Sequence, residues 1–239
     1  MKTHLLASLL VLGIGPSATS LAVKPPPPVS PATSMDQAGM VDIRHLVPDI
    51  AEDIKYAGHD NFTGAPVPGY RAAKCFLLKP AAEALARTEK ALRKQHMRLK
   101  IWDCYRPARA VAAFMRWAQN DDTRTKAEHF PYVDKSKLVG EYIAATSNHT
   151  RGATVDLTLM QCDTEGAHCR ELDMGTHFDM FDPLAHTDSG RATATQHANR
   201  HRLLDAMAAQ GFENYPNEWW HYTLSMHPQP KTLYDVPVQ

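Results

Sequence analysis

The chain has no excess of either charge: 26 lysines and arginines face 26 aspartates and glutamates over 239 residues. Such a balance offers no long-range field for nucleic acid or an anionic membrane, so neither is expected as a partner. The apolar run at residues 5–14 falls short of the roughly 20 residues needed to span a bilayer. No G-x-S-x-G occurs, nor S-x-x-K with K-T-G, so neither a nucleophile elbow nor penicillin-binding chemistry is signalled. H-E-x-x-H is missing too, which removes a zincin helix as scaffold. There is no internal repeat. Cysteine is scarce, four in all and none in a C-x-x-C, so a thiolate-bound metal is poorly supported.

What is present begins with an address. Lys2, the apolar run and the small residues at 18–22 read as a secretory signal peptide over residues 1–22. Residues 23–36, with four consecutive prolines at 25–28, read as a Pro-rich disordered linker of polyproline II character. Residues 37–239 are enough for one domain with its own core and no span of the membrane once the leader is gone. Localisation is then periplasmic or secreted, an oxidising compartment in which cysteines pair. Cys162 and Cys169 flank a turn-like stretch and are expected to close a small hairpin. That leaves Cys75 for Cys104, one of three possible connectivities.

Periodicity gives a coarse fold. Pro80 sits at a first-turn position of a helix reaching residue 95, with Ala81, Leu85, Thr88 and Leu92 on one stripe. Polar/apolar alternation suits a half-buried strand at 98–103. Pro107 opens a second helix that buries Val111, Phe114, Met115 and Ala118. Residues 153–159 form a strand with Thr154, Asp156 and Thr158 on one face and Val155, Leu157 and Leu159 on the other. A third helix covers 199–210, with Leu203, Leu204 and Met207 inward and Gly211 as its stop, and a last strand runs over 219–224. The expectation is α+β: a single domain with a mainly antiparallel central sheet flanked by helices and a zinc site on the sheet face.

Two segments carry the chemistry. One contains Ser147, His149, Gly152 and Asp156; the other is Glu218-Trp219-Trp220-His221. His149, Asp156 and His221 offer two imidazoles and a carboxylate, the ligand set of a catalytic zinc, one Zn2+ per chain, with a position left for water. Glu218 is the candidate base for that water. Residues three apart on a regular strand point to opposite faces, so Glu218 must stand where a bend or bulge re-aims it. With 13 histidines in the chain, the others, among them His129, His168, His177, His186, His197, His201 and His227, are expected to be surface or capping residues.

At these positions the sequence resembles the zinc-dependent D-alanyl-D-alanine dipeptidases of the VanX type. They sit in a wider group with D,D-carboxypeptidases, lysostaphin-like endopeptidases and the hedgehog domain. The group's S-x-H-x-x-G-x-A-x-D pattern appears with Thr154 in place of its alanine, and E-x-W-H is intact. Asp60-Asn61-Phe62-Thr63-Gly64, Trp102-Asp103-Cys104-Tyr105-Arg106-Pro107 and the stretch around Phe178-Asp179-Met180 narrow the match to the dipeptidases. The resemblance implies that His149, Asp156 and His221 hold zinc and that Glu218 is the base. Arg106 is then the oxyanion stabiliser, a role that suits a fixed guanidinium. It further implies Asp179 as receptor of the substrate ammonium, Ser147 as a substrate contact, and Tyr56 and Tyr70 in the pocket. The expected partner is a small dipeptide. The best-known members act in the cytoplasm, so a leader peptide points to scavenging of D-alanine outside it. A D,D-carboxypeptidase or peptidoglycan endopeptidase is the alternative with the same metal, and a cell-wall-binding zinc module the alternative without catalysis.

Overall fold

The computed structural model describes residues 28–239; the expected signal peptide and the first residues of the linker lie outside the described part. In chain order the elements are β1 (Met40–Asp42), β2 (Ala51–Glu52), β3 (Phe76–Leu78), α1 (Lys79–Arg93), β4 (Met97–Asp103) and α2 (Ala108–Ala118). Then come the single turns α3 (Lys126–His129) and α4 (Leu138–Glu141), β5 (Thr154–Gln161), β6 (Arg170–Glu171), α5 (Ala194–Ala208), β7 (Phe212–Asn214) and β8 (His221–Leu224).

One sheet organises the domain, in the order β2-β4-β5-β8-β7, with β6 added to the far end of β5; β1 and β3 form a separate antiparallel pair. The fold is α+β, as expected, but the sheet is mixed rather than mainly antiparallel. β2 runs parallel to β4, Ala51 opposite Lys100 and Glu52 opposite Ile101. The chain reaches β4 from β2 through β3 and α1, and a crossover of that length returns a strand in the same direction. A two-residue strand leaves no alternation in the sequence to announce it.

The helix stripe read from the sequence is buried throughout: Ala81, Leu85 and Thr88 have no exposure and Leu92 has 2%. Packed with it against the back of the sheet are Leu203 and Met207 of α5 and Val155, Leu157 and Leu159 of β5. In α2, Val111, Phe114 and Ala118 are buried as expected, whereas Met115 is half-buried and Trp117 takes the inward place. Leu204 is likewise only half-buried. α5 starts five residues before its expected beginning, because Thr193 and Gln196 form a capping box around a polar first turn that has no apolar periodicity to read.

The described part of the expected linker lies against the domain. Ser30 N–H donates to the Leu233 carbonyl and Leu233 N–H to that of Pro28, at 2.7 and 2.9 Å, and Met35 is buried.

Cys75 pairs with Cys104 and Cys162 with Cys169. The first link ties the residue before β3 to the residue after β4, at the front of the sheet. Its partners are 29 residues apart in sequence, and closing such a loop is worth about 3–4 kcal/mol on chain-entropy grounds. The double variant Cys75→Ala/Cys104→Ala is therefore expected to lose about that much stability in urea unfolding. A loss under about 1 kcal/mol would mean that packing alone holds the two ends together.

Candidate active site

The site begins with an irregularity in the sheet. β4 and β5 keep register from Met97 to Ile101 and then slip, so that Asp103 rather than Trp102 faces Asp156. The extra residue makes a bulge, which re-aims the side chains around it. Two carboxylates are thus brought together inside the protein, Asp103 with no exposure and Asp156 with 2%.

Positive and donor groups surround them. Arg106 lies just past the end of β4, and its guanidinium donates to Asp103 Oδ2 at 2.9 Å and reaches Asp156 Oδ2 at 3.4 Å. It also stacks 4.9 Å over the Tyr56 ring and 5.2 Å over that of Phe114, a cation–π arrangement that fixes its plane. Tyr70 donates its hydroxyl to Asp103 Oδ1 at 2.6 Å. Burial raises the Asp103 carboxyl, with Arg106 and His149 opposing.

His149 rides on the short turn Asn148–Arg151. Ser147 caps that turn by accepting the His149 N–H, and Gly152 ends it at φ 78°. A Cβ on Gly152 would come within 2.7 Å of Met40 Cε, so both the conformation and the space require glycine. The His149 ring is buried, with Nδ1 at 2.6 Å from the Cys104 carbonyl. That contact places the proton on Nδ1 and leaves the Nε2 lone pair facing the site. Burial keeps this imidazole neutral by lowering its pKa against the pull of Asp156.

His221 opens β8 opposite Asp156. Glu218 stands in the turn before it, where its N–H donates to Tyr215 and its carbonyl accepts from His221 N–H. The bend lets residues three apart face one cavity, with Glu218 Oε2 3.5 Å from His221 Nδ1. Burial pushes the Glu218 carboxyl up to about 7, with His221 opposing, which suits a group that must take and return a proton near neutrality.

The three candidate ligands converge. His149 Nε2 is 3.1 Å from Asp156 Oδ2, His221 Nδ1 is 3.0 Å from Asp156 Oδ1, and the two ring nitrogens are 3.2 Å apart. The two imidazole nitrogens meet different oxygens of one buried carboxylate, of which Asp156 Oδ1 accepts no hydrogen bond. Such a cluster can hold a cation between its members, and two nitrogens with one oxygen fit the donor set zinc takes. Burial alone would raise Asp156, but the two imidazoles outweigh it and hold its carboxyl below the usual range.

A cavity of about 250 Å³ opens onto this cluster, lined also by Arg106, Glu218, Ser147, Tyr56 and Asp179. Asp179 has φ 57°, a left-handed conformation tolerated by aspartate. Tyr56 donates its hydroxyl to the Asp179 carboxyl at 2.8 Å, and His129 Nδ1 meets the Asp179 carbonyl at 3.1 Å. Burial pushes this carboxyl well above its ordinary range, Arg106 opposing; a cation placed against it would restore its charge. His129, expected at the surface, has 4% exposure, because its ring supports the Asp179 backbone from beneath.

Tyr70 stands behind Arg106, on Asp103, and does not line the cavity. Asp103 itself was invisible as a site residue: its motif is readable in sequence, but the bulge that turns it toward Asp156 is not. Tyr142 and Tyr215, also on the cavity wall, come from irregular segments with no signal to mark them.

Asp103 is the shared partner of Arg106, Tyr70 and the His149 turn, so Asp103→Leu should strand a buried guanidinium. Breaking one side of such a pair costs about 3–5 kcal/mol. Urea unfolding is expected to report a loss in that range; a value under about 1 kcal/mol would contradict the geometry.

The D-ala-D-ala dipeptidase family model, Peptidase_M15, matches residues 36–239. A D-alanyl-D-alanine dipeptidase of Streptomyces coelicolor is 43% identical over 198 residues, covering 82% of this chain and 96% of the relative. Its counterpart in Enterococcus faecium is 37% identical over 205 residues, 85% of this chain and 100% of the relative. The Escherichia coli dipeptidase is 32% identical over 189 residues, 79% and 86% of the two chains. A match that runs from residue 36 to the C-terminus, through every segment that lines the cavity, leaves one conclusion: the chain belongs to the D-ala-D-ala dipeptidase family of peptidases.

Proposed function

We propose that the protein hydrolyses the dipeptide D-Ala-D-Ala to D-alanine outside the cytoplasm, with a zinc ion held by His149, Asp156 and His221. The observation that carries the reading is the convergence of those three ligand atoms beside Glu218 and Arg106, in a cavity that the buried Asp179 also lines. A dication in that position lowers the pKa of a water and polarises a carbonyl.

The side chains divide the remaining work. Glu218 takes the proton of the attacking water and returns it to the departing amine, which its raised pKa permits. Arg106, held in plane by Asp103 and two aromatic rings, faces the oxygen on which negative charge develops. Asp179, with the Tyr56 hydroxyl on one of its oxygens, receives the free ammonium. A buried acid lining a small cavity selects a free N-terminus, because only that group brings a charge to compensate it. Ser147 is placed on the cavity wall near the His149 turn, where it can contact the substrate.

Export is supported by the two disulfides among the described residues, bonds that persist in oxidising compartments. No helix of the described residues is long and apolar enough to cross a membrane. Residues 1–22 serve in this reading as the leader.

D-Alanine release from D-Ala-D-Ala should vanish on chelation and return with zinc; turnover that survives full metal removal would sink the metal reading. Glu218→Gln is expected to lower kcat by about 10²–10⁴-fold, the usual contribution of a positioned base, while still binding zinc. N-acetyl-D-Ala-D-Ala should be refused, and Asp179→Asn should cost about 2 kcal/mol or more in kcat/KM for the free dipeptide. Efficient cleavage of the acetylated substrate would move the protein to the D,D-carboxypeptidases.

A further inference from the structure

The segment that carries Asp179 runs from the end of β6 to the start of α5, and its last part returns alongside that helix. His197 and His201 are four residues apart on α5 and so share one of its faces. Asp188 comes to the same face from the segment before the helix. Their ligand atoms all lie within 4.8 Å of one another, and His201 Nε2 is 2.8 Å from Asp188 Oδ1. None of the three lines the catalytic cavity.

Each member is positioned by something other than the cluster. The histidines stand on a regular helix begun by the Thr193–Gln196 capping box. Asp188 follows a stretch pinned at several points: Thr187 N–H donates to the Pro216 carbonyl at 2.9 Å, and the His186 carbonyl accepts from the buried Arg200 at 2.6 Å and from Ser189 N–H at 3.0 Å. The ordering that a ligand set normally requires is therefore already in place. An exposed ion pair is worth little by itself, and here the side chains of Asp188 and His201 are 76% and 48% exposed. Two imidazoles and a carboxylate on a fixed frame are, however, a donor set for the late first-row divalent metals.

We propose that Asp188, His197 and His201 form a second, exposed metal site for a cation such as Zn2+ or Ni2+, which fastens the end of the Asp179-bearing segment to α5. The inference is independent of the catalytic-metal reading, since it shares no residue with it.

Equilibrium dialysis of the tag-free protein against zinc chloride, with the metal counted per chain, tests it. The wild type should hold one more equivalent than His197→Ala/His201→Ala, and Asp188→Asn should weaken that equivalent. Nickel should raise the thermal midpoint of the wild type more than that of the double variant. In chelator the two proteins should unfold at the same temperature, and His201→Gln provides a milder replacement to check folding. D-Ala-D-Ala turnover at limiting zinc should be unchanged by these substitutions. Equal metal counts in the wild type and the double variant, or equal nickel shifts, would overturn the proposal.

Discussion

Two carboxylates, Asp103 and Asp156, face each other across a bulge between the central strands, away from water. Like charges so placed cannot both stay ionised without compensation. The residues around them are arranged as that compensation: the Arg106 guanidinium between the two, the Tyr70 hydroxyl on Asp103, and the His149 and His221 rings on Asp156. Even so, Asp156 Oδ1 is left without a hydrogen bond, 3.0 Å from His221 Nδ1. Surplus negative and lone-pair character at a single point is what a bound cation would compensate. The disulfide from Cys104 to Cys75 and the Cys104 carbonyl on His149 tie that arrangement to the sheet.

The opposite wall depends on a different device. The segment between β6 and α5 contains no long regular element, yet it carries the buried Asp179 into the cavity lining. Arg200 of α5, with no exposure, donates to the carbonyls of Met174, Leu184 and His186, and Asn199 donates to that of Asp173. A buried guanidinium spread over three backbone carbonyls satisfies groups that an irregular segment cannot pair internally. Tyr56 and His129 then fix Asp179 from two sides. Asp179 is thus supported by α5, and the His149, Asp156 and His221 cluster by β4, β5 and β8, so that one part of the cavity lining is rigid sheet and another is a braced loop.

The sequence by itself determined which residues bring imidazole, carboxylate and guanidinium to the site, and that the cysteines pair, because these depend on residue type and short spacing. It likewise determined α1, β4 and β5, and the inward faces of α1 and β5, since periodicity reports which side of an element is buried. Only the tertiary structure decided that β2 joins the sheet in parallel, that a bulge turns Asp103 onto Asp156, that Tyr70 braces Arg106 from behind, and that His129 is buried beneath Asp179. Each of these is a contact between residues far apart in the chain: 50 positions separate His129 from Asp179 and 33 separate Tyr70 from Asp103. Local pattern carries no record of such pairings. They come into being when the sheet register, the crossover and the braced loop are all in place, and the physical reason is that burial and partner, not propensity, set the position of a polar side chain in a core.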